Sequence, residues 1–132
     1  MSGKFIYLDT SAFVKLVVAD SESSALSQYL RRRPNQASAA LIRTEALRAA
    51  RRLDPSLTAA VRQRLRYLTL IRLSSDLLDR AGELDPLTMR SLDAIHLAAA
   101  LSLGSDLGSF VTYDETLGSA AAHAGLRVVS PT

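Results

Sequence analysis

Apolar positions in this chain fall into short continuous runs separated by longer stretches at helical spacing. Phe5-Ile6-Tyr7-Leu8 is the first run, and it leads straight into Asp9. A short unbroken apolar run reads as a buried strand. Thr10 and Ser11 follow, and their hydroxyls suit a helix start because they can accept a bond from an unpaired N–H. The pattern therefore predicts a helix over residues 11–18, broken at Ala19-Asp20-Ser21. Ser21 or Ser23 then opens a second helix running to about Arg32, with Ala25, Leu26, Tyr29 and Leu30 at helical spacing, and Pro34-Asn35 ends it. Gln36-Ala37-Ser38 reads as a small strand. A third helix is predicted over residues 39–53. At about 100° per residue, Leu41, Ala49, Ile42, Leu53, Ala46, Ala39 and Ala50 share one apolar arc. Arg43, Leu47, Arg51, Thr44 and Arg48 lie opposite, Arg52 stands at the arc's edge, and Glu45 falls inside it.

Asp54-Pro55 places a proline at the first position of a fourth helix, which turns Leu57, Val61, Leu65 and Leu68 inward. Residues 70–73 read as a strand. Ser74 or Ser75 caps a helix carrying Leu77, Leu78, Ala81 and Leu84, closed by Asp85-Pro86. Residues 91–101 are apolar nearly all round, which predicts a central, buried helix. Asp93 lies in its first turn, and His96 faces the same way as Asp93. Residues 110–113 form another apolar strand, again running into an acid, Asp114. A helix from about Glu115 to Ala124 and a last strand over residues 126–129 complete the chain. Strands alternating with helices predict an α/β fold with a parallel sheet. At 132 residues the expectation is a single domain spanning residues 1–132.

The chain has no cysteine, so a disulfide framework and a thiolate metal site are excluded. That suits a reducing, cytoplasmic setting. The first residues lack the apolar core of a signal peptide, and no run approaches the roughly 20 apolar residues that span a bilayer. Net charge is only +3, but it is unevenly spread: eleven arginines stand between Arg31 and Arg72 against two acids, Glu45 and Asp54. Such a basic stretch is the footprint expected for a polyanion such as nucleic acid. Arg43, Arg48, Arg51 and Arg52 on the third helix are the candidate contacts.

Four acids define the candidate chemistry. Asp9 and Asp114 end strands, Asp93 begins a buried helix, and Glu45 sits on an apolar face. Each has a plain structural explanation when taken alone: a turn or cap acid for Asp114, a first-turn acid for Asp93, a Glu bonded to a neighbouring arginine such as Arg52 or to a backbone amide for Glu45. His96 alone reads as a hydrogen-bonded core residue. What the acids share is location. In a parallel sheet the strand carboxyl ends lie on one edge, where the following helices also begin, so Asp9, Asp93 and Asp114 can meet. Several carboxylates in one site either take up protons or are neutralised by a cation. Oxygen donors without His or Cys select Mg²⁺ or Mn²⁺. Such a site can activate water against a phosphodiester.

The stretches Tyr7-Leu8-Asp9-Thr10-Ser11-Ala12, Thr44-Glu45, Asp93-Ala94-Ile95-His96-Leu97-Ala98-Ala99-Ala100 and Val111-Thr112-Tyr113-Asp114 closely resemble the PIN-domain ribonucleases of the VapC toxin family, over essentially the whole chain. The resemblance implies a PIN-like three-layer α/β/α sandwich with a central parallel sheet of about five strands. It also implies a Mg²⁺- or Mn²⁺-dependent endoribonuclease, the toxin of a toxin–antitoxin pair, with a cognate antitoxin that blocks the acidic pocket and with homodimerisation. Carried over by position, it makes Asp9 and Asp93 the principal metal ligands, with Asp114 completing the set. Glu45 is an acidic-pocket residue, and Ser11 and Thr112 support the pocket through hydrogen bonds. Two other readings stand beside this one. A non-catalytic RNA-binding or protein-docking module of the same fold would predict erosion of the four acids, and they are intact. A phosphatase of the haloacid dehalogenase type, with Asp9 as nucleophile, calls for an acid where Ser11 stands and for a catalytic lysine, whereas the only lysines are Lys4 and Lys15.

Overall fold

The computed structural model describes residues 3–132. Five parallel strands form one sheet: β1 Phe5–Leu8, β2 Gln36–Ala39, β3 Leu68–Ile71, β4 Leu107–Val111 and β5 Val128–Val129. Their order across the sheet is β3-β2-β1-β4-β5. The helices are α1 Thr10–Val14, α2 Ser23–Arg31, α3 Ile42–Leu53, α4 Thr58–Leu65, α5 Ser75–Gly82, α6 Ser91–Leu101 and α7 Glu115–His123. The chain builds outward from β1 to β3 on one side, then returns to lay β4 against β1. The sheet's topological switch point therefore falls between β1 and β4, where open α/β sheets bind ligands beyond the strand carboxyl ends.

Side chains alternate along a strand, and β1 uses both faces for burial. Ile6 and Leu8 join Ala12, Phe13, Leu26, Ile42, Ala46 and Val61 under α1–α4. Tyr7 points to the opposite face and joins Phe110, Leu77, Leu97, Leu117 and Ala121 under α5–α7. The Tyr7 and Phe110 rings stack with centroids 5.2 Å apart. The expected three-layer sandwich with a central parallel sheet of five strands is thus present. Among the described residues, no helix is long and apolar enough to cross a membrane.

Several boundaries move. Asp9, rather than Thr10 or Ser11, caps α1, which ends at Val14 instead of running to residue 18. Ala39 belongs to β2, not to α3. The buried stripe of α3 narrows to Ile42, Ala46 and Ala50, and Leu53 is 66% exposed despite its place on the apolar arc. Leu68 lies in β3, which begins two residues earlier than expected. β4 takes in Gly108 and Ser109 and ends at Val111. Gly108 tolerates no side chain, since a Cβ there would collide with the Gly3 carbonyl oxygen.

Candidate active site

Asp9 is the most deeply placed of the four acids, only 3% exposed. Its backbone is extended, and its Oδ1 accepts from the Ala12 N–H (3.0 Å) and the Ser11 hydroxyl (2.7 Å). Thr112, just past the end of β4, donates to Oδ2 at 2.6 Å. Burial pushes the Asp9 carboxyl above its ordinary value, and the bonds from Thr112, Ala12 and Ser11 offset that only in part. Ser11 and Thr112 therefore both hold the Asp9 carboxylate. Thr112 also links Asp9 to Asp114, because its hydroxyl accepts from the Asp114 N–H at 3.0 Å.

Glu45 does not pair with Arg52. It enters the first turn of α3 and turns toward α6, where His96 Nε2 lies 2.7 Å from Oε1. The Thr10 hydroxyl donates to the same oxygen at 2.7 Å. His96 is buried, and its Nδ1 lies 2.7 Å from the Tyr7 hydroxyl. That hydroxyl already accepts from the Ala39 N–H. With Glu45 ionised, its Oε1 can only accept, so Nε2 carries a proton, and in the neutral ring Nδ1 then accepts from the Tyr7 hydroxyl. Burial pushes the Tyr7 hydroxyl well above its ordinary value, so it stays a donor. For Glu45, burial works toward protonation, but the bonds from His96 and Thr10 together outweigh it and hold the carboxyl below its ordinary value. Both bonds fall on one oxygen, which leaves Oε2 with no protein donor among the described residues. His96 is the hydrogen-bonded core residue expected of it, but its partner is one of the candidate acids.

Asp93 and Asp114 open the last two long helices. Asp114 caps α7 by accepting from the Leu117 N–H at 3.0 Å. Asp93 stands in the first turn of α6 without capping it. Burial and the neighbouring Asp114 charge push the Asp93 carboxyl above its ordinary value. One side chain meets both acids: Arg90, with Nε 3.6 Å from Asp93 Oδ2 and an Nη 3.9 Å from Asp114 Oδ2. Nothing in the periodicity singles it out.

Among the described residues, no three His, Asp or Glu side chains are gathered closely enough to hold an ion as a group. Mg²⁺ asks for less, since it commonly binds through one or two carboxylates and keeps several waters. Asp93 and Asp114 fit that demand: both are partly open, and a guanidinium already stands as a cation between them.

The arginines occupy the other end of the expectation. Arg43, Arg48 and Arg51 of α3 line a groove of about 980 Å³ with Arg62 and Arg66, over a floor of Leu47, Leu65, Leu68 and Leu70. Arg52 is exposed and does not line it. Thr44, which precedes Glu45 in α3, lies in the same groove. The basic groove and the acidic edge are thus joined through one helix.

Known proteins share this fold. A ribonuclease from Mycobacterium tuberculosis, VapC46, is 47% identical over 127 residues, covering 96% of this chain and 98% of the relative. Two solved structures are similar: M. tuberculosis VapC20, a toxin that cleaves the sarcin–ricin loop, and a toxin–antitoxin complex from Klebsiella pneumoniae. The first has a TM-score of 0.73 at 20% identity and covers 96% of this chain and 99% of its own. The second has a TM-score of 0.72 at 23% identity and covers 96% and 98%. Residues 6–123 match the PIN domain family. With a family match over residues 6–123 and a 47% identical relative covered almost end to end, the chain belongs to the PIN domain family.

Proposed function

We propose that this protein is a divalent-metal-dependent endoribonuclease, the toxin of a toxin–antitoxin pair. The observation that carries the reading is the Asp93–Asp114 pair drawn onto one cation at the starts of two helices, with Asp114 tied to the buried Asp9 through the Thr112 hydroxyl. The 47% identical relative, a ribonuclease, supports it. Mg²⁺ or Mn²⁺ would be held by Asp93 and Asp114, with Asp9 completing the set. When bound, such an ion polarises the phosphodiester and acidifies water. The remaining work belongs to the chain. Ser11 and Thr112 keep the Asp9 carboxylate oriented. His96 and Thr10 keep Glu45 ionised and leave its second oxygen to align a water. The helix starts at Ser91 and Glu115 fix where the two aspartates stand. The protein takes a cognate antitoxin as partner, as in the K. pneumoniae complex, and acts as a homodimer.

The test is cleavage of pooled cellular RNA with and without metal, wild type beside Asp93→Asn. Discrete fragments are expected with Mg²⁺ or Mn²⁺, none in chelator, and a loss of about a thousandfold in the mutant, since each tenfold is about 1.4 kcal/mol and a metal supplies several. Metal-independent cleavage by purified wild type would sink the reading. If a folded, antitoxin-free wild type cut nothing with either metal, the non-catalytic module would become the better account.

The arginine groove is proposed to hold the RNA backbone. Replacing Arg48 and Arg51 by Gln is expected to weaken binding of a single-stranded RNA similarly for unrelated sequences. It should also flatten the plot of log affinity against log salt by about 0.7 for each phosphate no longer neutralised. An unchanged slope would place the RNA elsewhere.

A further inference from the structure

Arg90 is the one side chain, among the described residues, that touches both Asp93 and Asp114, and the metal-dependent reading gives it no part. Its backbone is extended at the entrance to α6, which throws the side chain across the gap toward α7. The guanidinium reaches Asp93 three residues ahead in sequence and Asp114 on the neighbouring helix. Three features make this a hold that can be released. Both contacts are long, at 3.6 and 3.9 Å, and neither is a close hydrogen-bonded pair. The Arg90 side chain is 81% exposed, so water is ready to solvate it when it leaves. It also faces the starts of α6 and α7, whose partial positive ends repel a cation. The carboxylates alone keep it there.

We propose that Arg90 is a tethered competitor for the divalent cation. In the metal-free protein its guanidinium neutralises the Asp93–Asp114 pair, and a metal ion must displace it to bind. This rests on the metal-dependent reading above. Two carboxylates that would otherwise repel each other are thereby kept in place for the ion, with a weaker apparent metal affinity as the consequence. Displacement also frees a guanidinium beside the loaded site, suited to a phosphate oxygen as a planar fork of donors. Arg90 is a positioning residue in this account, acting through the two aspartates.

The experiment is a titration of Mn²⁺ alone into antitoxin-free protein without RNA, followed by the loss of the free-Mn²⁺ electron-spin signal. Wild type is compared with Arg90→Gln and with Arg127→Gln. Arg127 is exposed and precedes β5, on the amino-end side of the strands, whereas Asp93 and Asp114 lie toward the carboxyl ends, so its loss is the same change in net charge away from the pair. Arg90→Gln is expected to bind Mn²⁺ about threefold to tenfold more tightly than wild type, the scale expected when a unit charge a few Å from a divalent ion is removed in a largely solvated site. Arg127→Gln is expected to stay within about twofold of wild type, because an exposed charge that touches neither aspartate is largely screened by solvent and salt. Unchanged or weaker binding by Arg90→Gln overturns the proposal, and so does equal tightening by Arg127→Gln. If none of the three proteins binds Mn²⁺, the metal-dependent reading itself fails and the proposal falls with it.

Discussion

Asp9→Asn is expected to make the metal-free protein more stable at neutral pH while ending RNA cleavage. Asp9 is a carboxylate 3% exposed whose partners among the described residues are two hydroxyls and an amide, with no cation bonded to it. Taking an ion out of water costs several kcal/mol, and its three hydrogen bonds return only part of that. Asparagine can keep the geometry. Its carbonyl oxygen still accepts from Ser11 and Ala12, and its amide can donate to the Thr112 hydroxyl, which then turns its own proton toward the nearby Ser11 hydroxyl. A gain of about 1 kcal/mol, or a Tm rise of about 4 °C, is expected. Cleavage should fall by about a thousandfold or more, since the amide is a poor substitute for an anionic ligand.

The pH dependence gives this prediction its sharper form. The Asp9 carboxyl sits above its ordinary value of 3.8 in the folded chain. The folded state therefore takes up that proton first as pH falls. The slope of stability with pH is negative between the unfolded and folded values, so stability from this group is full at low pH and lost as pH rises through the folded value. Asp9→Asn removes that loss. Its advantage over wild type should be largest at neutral pH and should shrink as acid protonates the wild-type residue. Thermal melts of both proteins in chelator from pH 4 to 7.5 would check it. A constant gap across that range, or a less stable mutant at pH 7, would show that Asp9 is not strained by burial.

His96→Ala is the second large effect, on folding and chemistry together. The ring is 2% exposed and joins Tyr7 to Glu45. Truncation leaves a cavity under α6 and takes from Tyr7 the acceptor of its proton. A cost of about 3 kcal/mol is expected, at the low end for removing a buried ring. Glu45 loses one of the two donors that hold it below its ordinary value of 4.5. In the wild type that depressed value contributes stability above the ordinary carboxylate range, lost as pH falls through the folded value. The mutant should therefore show a shallower acid-side decline. Cleavage should drop by about 10- to 100-fold, the usual cost of removing a partner that orients a ligand or base. Chemical denaturation and single-turnover cleavage would separate the two losses. A stable mutant with full activity would mean that Glu45 needs no support.

The elements that carry the candidate acids are legible in the sequence because they are largely buried. β1 is apolar at every position, and residues 91–101 leave no polar face, so the pattern places both with their acids at the right end. Edges are harder to read. β4 begins with Leu107-Gly108-Ser109, which looks like loop, and it is a strand because Gly108 permits the approach of Gly3 and Ser109 pairs with the Tyr29 hydroxyl at 2.9 Å. Leu53 follows the helical period onto the apolar side, but α3 ends where no other layer covers it. Within the site, angular reckoning on α3 puts Glu45 inward correctly and gives it the wrong partner. The angle recognises neighbours on one helix, whereas His96 comes from a segment 51 residues away. Arg90 is invisible for the same reason, since its role exists only when α6 and α7 start side by side.

The alanines of α6 decide more than how the core is filled. Ala94, Ala98, Ala99 and Ala100 are all buried, and they let the helix lie close on the sheet. Because Asp93 and His96 ride on that same helix, the uncharged methyl groups work as a spacer that sets how deep both side chains reach. A bulkier residue at Ala99, fully buried, would lift the whole lever and carry an aspartate and a histidine out of register at once, without touching either. Sequence drift toward larger residues in this chain is therefore limited by the reach of two polar side chains as much as by the volume of the core.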